Sequence, residues 1–313
     1  MNHYTEMKDM DSIAYKPSKK TQQLWRVELE LADILLDICT KNDLKIWAGY
    51  GTLIGAARHK GFIPWDDDLD FVMMRSDYDK LLDLVKSNSL SLPINCEFDL
   101  ADISVIKLRR IDTTMYSKSY RVSNDLKHGV WVDVFCLDVA PDNLTETAIR
   151  YYESLKNNIR IHHNVSLGYY AHVKTIRYVF GHFVLRTLSL FRRLSSLREN
   201  IEGSLRSDKE KYSGNKVWGF LIWAPIKKDI GRIAIHDVSS YGDTVMMPFE
   251  DRMFPCPKDY DSLLTAQYGD WRTPVMGGSQ HEGSYADLNK PYKEFIEEKL
   301  KAMPWWKRYW YKH

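Results

Sequence analysis

The strongest chemical signal in this 313-residue chain is a run of aspartates threaded through apolar residues, Pro64-Trp65-Asp66-Asp67-Asp68-Leu69-Asp70-Phe71. Side chains alternate along a strand, so Asp68 and Asp70 project from one face a few ångströms apart, while Leu69 and Phe71 turn into the core. Carboxylates so placed repel unless a cation lies between them. Oxygen-only ligands suit Mg²⁺ or Mn²⁺, which keep waters and borrow phosphate oxygens from a substrate. An acidic turn in solvent is the plain alternative, and the interleaving with Leu69, Phe71 and Val72 argues against it. A second run, Val130-Trp131-Val132-Asp133-Val134-Phe135, sets one acid among residues that read as buried. A lone Asp133 would more often be structural, yet a buried carboxylate needs a cation or donors. Together Asp68, Asp70 and Asp133 make a triad that can hold one or two divalent ions, clamp a phosphoanhydride and activate a hydroxyl.

The elements that must carry these residues are legible as patterns. Apolar residues recur at Leu24, Val27, Leu31, Ile34, Leu35 and Ile38 after Pro17 and Ser18, predicting an amphipathic helix over Thr21 to Thr40. Leu44 to Ala48 reads as a short strand entering the turn Gly49-Tyr50-Gly51-Thr52, and Leu53 to Arg58 as the start of a helix, a plausible phosphate cradle. Leu69 to Met74 reads as a strand, followed by a helix opened by Ser76 and Asp79 at capping-box spacing. Further strands are expected at Ser104 to Arg109 and Val130 to Leu137. Residues 144–212 are basic with helical periodicity, and Met247 to Thr273 is punctuated by Pro and Gly around a short helix at Tyr260 to Tyr268. The expected fold is α+β, with a core over 1–143, a helical region over 144–245, and a segment returning to the core over 246–313.

Composition excludes several classes. Lys+Arg 44 against Asp+Glu 42 gives a net charge of +2, too balanced for a protein that wraps nucleic acid. The 44% hydrophobic and 27% charged shares are those of a globular protein. The four cysteines are far apart, without C-x-x-C or zinc spacing, so neither a disulfide scaffold nor a zinc finger is expected. The first 20 residues lack a secretory pattern and no long apolar run occurs, which predicts a cytoplasmic setting.

The run from Gly51-Thr52-Leu53-Ile54-Gly55-Ala56-Ala57-Arg58-His59-Lys60-Gly61-Phe62-Ile63-Pro64-Trp65 to Asp70 resembles the signature of the LicD family, bacterial phosphocholine transferases related to fukutin and fukutin-related protein. Two later segments are also similar, Gly129 to Pro141 and Phe249-Glu250-Asp251 through Tyr268-Gly269-Asp270-Trp271. The resemblance implies a nucleotidyltransferase fold of the DNA polymerase β type, with Gly51 and Thr52 in the Gly-Ser-like turn, Asp68 and Asp70 as the metal pair, and Asp133 as third carboxylate. It implies a CDP-linked donor whose phospho-alcohol (choline, ethanolamine, glycerol or ribitol) passes to a hydroxyl of a lipopolysaccharide, capsule or teichoic acid glycan with release of CMP. Asp133 is either a metal ligand or the general base toward the acceptor hydroxyl. Arg58, Lys60, Lys107 and Arg109 are the available phosphate partners, the last two at i and i+2 on one strand face. Nucleotidyl transfer with loss of pyrophosphate and a non-catalytic glycan-binding protein are the rival readings.

Other residues suggest where substrates sit. Glu250, Asp251, Tyr260, Tyr268 and Trp271 have the composition of a trimethylammonium box, although aromatic clusters are more often core. His281 lies in a loop where the family often has a His, and is expected to contact donor or acceptor if it is more than a bystander. Residues 173–197 gather Lys174, Arg177, Arg186, Arg192 and Arg193 opposite an apolar face, and the tail 304–313 combines Trp, Tyr, Lys and Arg. Both patterns predict peripheral contact with the inner face of a membrane, suited to a lipid-linked acceptor.

Overall fold

The computed structural model describes residues 15–100, 102, 104–116, 127–143, 146, 194–219, 235–276 and 285–304. Helix α1, Lys19–Lys41, starts where the Ser18 hydroxyl accepts the Thr21 N–H at 3.0 Å, as the sequence predicts. Strand β1 (Trp47–Ala48) leads into helix α2 (Tyr50–Ile54), which widens into one π-helical turn, Gly55–His59. Strand β2 (Asp70–Met74), helix α3 (Arg75–Lys86), and strands β3 (Cys96–Asp99), β4 (Val105–Arg110), β5 (Thr114–Tyr116) and β6 (Val130–Val139) follow. Later come helix α4 (Leu194–Lys211), strands β7 (Lys216–Gly219) and β8 (Ile235–Asp237), and the hairpin of β9 (Thr244–Phe249) and β10 (Arg252–Pro257). Helix α5 (Tyr260–Tyr268), strand β11 (Tyr285–Asp287) and helix α6 (Tyr292–Ala302) complete the described chain.

This is a mixed α+β architecture. Its main sheet runs β1-β2-β6-β4-β3, with β7 pairing with β6 and β8 with β7. β2 and β6 are parallel; the other pairs in this sheet are antiparallel. β6 is central because its alternate residues Val130, Val132, Val134 and Cys136 are almost wholly buried, together with Ile106 and Leu108 of β4. The opposite face of the same strands carries Trp131, Asp133, Lys107 and Arg109. Period-two alternation therefore separates core from chemistry.

An aromatic ladder binds the later segment to this sheet. Phe71 of β2 meets Phe254 at 5.4 Å, Phe254 stacks on Phe249 at 4.5 Å, Phe249 meets Phe62 at 5.0 Å, and Phe62 stacks on Trp25 of α1 at 4.6 Å. Phe249, Phe254, Cys256, Leu263, Leu264 and Trp271 thus share one core with residues of the first half. All four cysteines are free and buried.

The structure departs from the sequence reading in two places. Within 144–245, read as helical, β7 and β8 are strands that extend the sheet beyond β6. Four-residue and three-residue strands are too short for their alternation to register as a pattern. The capping box of Ser76 and Asp79 does not form either: α3 begins at Arg75, with Met74 as its cap residue and no side-chain cap bond. Asp79 is taken instead by Arg206 at 2.8 and 2.9 Å and by Arg75 at 3.3 Å. Residues 173–193, His281 and 305–313, which carry the membrane and loop-histidine expectations, lie outside the described residues. Among the described residues no helix is long and apolar enough to cross a membrane.

Arg75 ties α4 to the sheet. Its guanidinium makes a paired bond to Asp138 at 2.7 and 2.6 Å, and reaches Glu202 at 2.8 Å and the Ser104 hydroxyl at 3.0 Å. Asp138 is fully buried. Arg75→Met should therefore destabilise the fold by about 3–5 kcal/mol, because it strands buried carboxylates, while Arg75→Met with Asp138→Leu should recover much of that loss. Urea denaturation of the two variants checks both expectations.

Candidate active site

Backbone register builds the site. Asp70 of β2 pairs with Asp133 of β6, and Asp133 pairs with Lys107 of β4, so the three side chains stand in one row across adjacent strands. Lys107 Nζ lies 2.5 Å from Asp133 and 3.4 Å from Asp102. Burial disfavours its charge, but Asp133 and Asp102 outweigh that and hold the ammonium firmly protonated. The Trp131 indole N–H donates to the other oxygen of Asp133 at 2.8 Å. Lys107 and Arg109 both lie over the Trp131 ring, at 5.2 and 4.8 Å, as expected of residues on one strand face. Arg109 is already engaged, donating to Asp99 at 2.7 Å and to the Gly129 carbonyl at 2.9 Å.

The glycine turn is stapled to Asp70 on both sides. The Gly49 N–H donates to the Asp70 carbonyl at 2.9 Å, and the Asp70 N–H donates to the Thr52 hydroxyl at 2.8 Å. Tyr50 takes a left-handed backbone, φ 46°, to make this turn, and its buried hydroxyl has no partner. Gly51 is required by proximity: a Cβ there would stand 2.6 Å from an Asp66 carboxylate oxygen.

Asp66, Asp67 and Asp68 bring carboxylate oxygens within 4.8 Å of one another, a set able to hold a metal ion. Burial first, and then the charge of Asp68, push the Asp66 carboxyl up to about 8. Burial, then Asp68 and Asp133, raise Asp70 well above the usual carboxylate range, with Lys107 opposing. Glu28 of α1, absent from the sequence reading of the site, is 1% exposed, and its carboxyl is raised by burial and then by Asp68, Asp67, Asp66 and Asp70. Its signal was present: Glu28 interrupts the buried stripe of Leu24, Leu31 and Leu35 at helical spacing.

The remaining expected residues are placed as follows. Lys60 is exposed, in a left-handed conformation, and its carbonyl accepts the Glu250 N–H at 2.7 Å. Glu250 Oε1 accepts the Phe62 N–H at 3.1 Å, so this acid clamps the loop before the aspartates. Arg58 donates to the Trp271 carbonyl at 2.5 Å and to the ring of His59 at 2.9 Å. Tyr260 meets Trp271 edge-on at 6.3 Å, but the Arg272 guanidinium covers the Trp271 ring at 4.6 Å. Asp251 pairs with Arg252, and Tyr268 is 42% exposed. The row of Asp70, Asp133 and Lys107 is thus brought together with the glycine turn, whereas Glu250, Arg58 and Trp271 serve mainly to fasten the later segment to it.

The carboxylate crowding has a sign that can be measured. Asp66, Asp70 and Glu28 all have folded pKa values above their unfolded ones, so the folded chain binds more protons and stability falls as pH rises through the shifted values. Buried His128, pushed down to about 4 by burial and then by Arg109, acts in the opposite sense, but only below the ordinary histidine range. Between about pH 6.5 and about pH 8.5, chelator-treated protein should therefore melt lower as pH rises, and Asp70→Asn should flatten the slope. A melting temperature that climbs with pH across this window would contradict the crowding.

Parts of this chain are similar to known proteins. Residues 43–164 match the family model described as LicD/FKTN/FKRP, nucleotidyltransferase domain. A lipopolysaccharide cholinephosphotransferase, LicD, of Haemophilus influenzae is 45% identical over 69 residues, 22% of this chain and 25% of that protein. Uncharacterized proteins of Rickettsia typhi and Rickettsia prowazekii are each 40% identical over 75 residues, 24% of this chain and 23% and 27% of theirs. The matched segments span about a quarter of these curated relatives. The glycine turn and the three strand-borne charges lie within residues 43–164, the segment that matches the LicD family model.

Proposed function

We propose that the chain transfers phosphocholine, or a related phospho-alcohol, from a CDP-linked donor to a hydroxyl of a cell-surface glycan, lipopolysaccharide being the first candidate. The observation that carries this reading is the row of Asp70, Asp133 and Lys107 beside the glycine turn, within the segment that matches the LicD/FKTN/FKRP family model. In the reaction the acceptor oxygen bonds to the phosphorus bearing the alcohol, the bond from that phosphorus to the bridging oxygen breaks, and CMP leaves. The hydroxyl proton goes to a base on the protein or to solvent.

The chain's residues fit a divalent cation such as Mg²⁺ or Mn²⁺. Asp68, Asp70 and Asp133 offer only oxygen, and the Asp70 carboxyl is raised first by burial and then by Asp68 and Asp133, with Lys107 opposing. A cation held by these residues would supply positive charge toward the pyrophosphate and the leaving CMP. Lys107 supplies a fixed positive charge at the same place, and its rigid footing between Asp133 and Asp102 spares reorganisation during the transfer. Thr52 accepts from the Asp70 backbone and so keeps its own proton to donate to a donor phosphate. Asp133 either holds the cation or takes the acceptor proton. The basic-aromatic stretches 173–197 and 304–313 would bring the enzyme to a membrane that carries a lipid-linked acceptor.

A screen of CDP-choline, CDP-ethanolamine, CDP-glycerol and CDP-ribitol with a lipopolysaccharide acceptor should release CMP from at least one donor. Pyrophosphate release from a nucleoside triphosphate, with nucleotide left on the acceptor, would replace this reading by nucleotidyl transfer. Asp68→Asn and Asp70→Asn should each keep the fold but lose more than about tenfold in turnover, at least ~1.4 kcal/mol of transition-state stabilisation.

A further inference from the structure

An aromatic face can bind a cation only if nothing already covers it, and most tryptophans near the site are covered. Trp131 lies under Lys107 and Arg109, Trp271 lies under Arg272 at 4.6 Å, and Trp25 is stacked on Phe62 within 1° of parallel. Trp47 and Trp218 are buried in the core. Trp65 differs. It is half-buried, and among the described residues no ammonium or guanidinium lies over its ring and no ring stacks flat on it. Its two aromatic neighbours stand nearly perpendicular to it, Tyr15 at 6.1 Å and 89°, His59 at 6.5 Å and 78°. The three rings form a corner, and Tyr15, 41% exposed, leaves it open to solvent.

The corner carries no positive charge of its own. His59 Nε2 accepts from Arg58 Nε at 2.9 Å, so the imidazole is neutral, and burial followed by the charge of Arg58 lowers its pKa further from protonation. The Arg58 guanidinium itself is turned to the Trp271 carbonyl. Negative charge stands next along the chain, where Asp66, Asp67 and Asp68 bring carboxylate oxygens within 4.8 Å of one another. Trp65 is three residues from Asp68, which keeps the two Cα atoms within about 11 Å.

Aromatic walls beside concentrated negative charge suit one kind of head group. A primary ammonium or a polyol needs oxygens or N–H groups in hydrogen-bonding geometry, which ring faces do not offer. A quaternary ammonium has no N–H to satisfy and gains from each ring it touches. We infer that Trp65, Tyr15 and His59, with the adjoining carboxylates, form a trimethylammonium subsite that selects choline over the other alcohols a CDP-linked donor could carry. This subsite takes the place of the box expected at Tyr260, Tyr268 and Trp271, whose indole face Arg272 already occupies. It rests on the transfer reading for the identity of the donor, whereas its test is binding alone.

Phosphocholine and its isostere 3,3-dimethylbutyl phosphate share a phosphate and a shape, and differ in the charge of the head group. Titrated against the full chain with Mg²⁺ and followed by ligand-observed nuclear magnetic resonance, phosphocholine should bind at least about tenfold more tightly than the isostere. Trp65→Leu should erase that ratio and leave the affinity for the isostere within about twofold. Should Trp65→Leu fail to give a cooperative melt, Tyr15→Leu, at an exposed position, takes its place and should reduce the ratio at least about threefold. Absent or equal binding of the two ligands by the wild-type chain, or a ratio unchanged in the variants, would overturn the subsite. CMP release from CDP-choline, measured on the same samples, reads the transfer separately. An intact ratio without release ends the transfer reading and leaves the subsite; release without the ratio ends the subsite alone.

Discussion

Like charges on neighbouring strands repel, and the sheet holds Asp70 beside Asp133 because everything around them is already bonded. The Asp70 N–H and carbonyl are taken by Thr52 and Gly49, and the Asp133 N–H donates to the Leu69 carbonyl at 3.0 Å. Lys107, on the third strand, supplies the one charge that opposes the crowding at Asp70 among those acting most strongly. The register of a parallel pair flanked by an antiparallel one therefore decides the chemistry. A slip of one residue along β2 would turn Asp70 into the core and bring Phe71 out.

That register must be protected from outside, and the aromatic ladder does this. Phe71 sits next to Asp70 and points the other way, into Phe254, while Phe62 and Trp25 lock the loop before the aspartates from the far end. Trp47 of β1 donates to the Thr244 hydroxyl at 2.8 Å, and Glu250 clamps the backbone of Phe62. The segment after residue 244 is therefore a brace on the site. This explains how Glu250, Arg58 and Trp271 can accompany the aspartates without reaching into them: Glu250 accepts the Phe62 N–H, Arg58 donates to the Trp271 carbonyl and to His59, and the Trp271 indole donates to Asp261.

Much of this was legible because the informative patterns are periodic. Alternation placed Leu69 and Phe71 inside, set Asp133 within a buried strand, and put Lys107 and Arg109 on one face, since each inference needed only the period of two. The helix of Lys19–Lys41 followed from a period of 3.6 and a capping serine. Other features were illegible for physical reasons. Whether Asp79 caps a helix or binds a guanidinium depends on Arg206, 127 residues away, and local sequence cannot express that competition. The strands β7 and β8 are too short to carry a period and exist because β6 outruns β4 and offers an open edge at Leu137, Asp138 and Val139. Glu28 was hidden for the opposite reason: its neighbours fit an apolar stripe so well that one acid reads as tolerable noise.

Charge balance gives the site a direction. Lys107 is bound to Asp133 and Asp102, so its ammonium is held where strand register puts it. That placement needs no hinge or lid, only a lysine set by register beside Asp133. Trp131 fixes the arrangement, since its ring flanks both Lys107 and Arg109 while its N–H holds the second oxygen of Asp133. The orientation of the Asp133 carboxylate is therefore set from two sides, by the ammonium and by the indole.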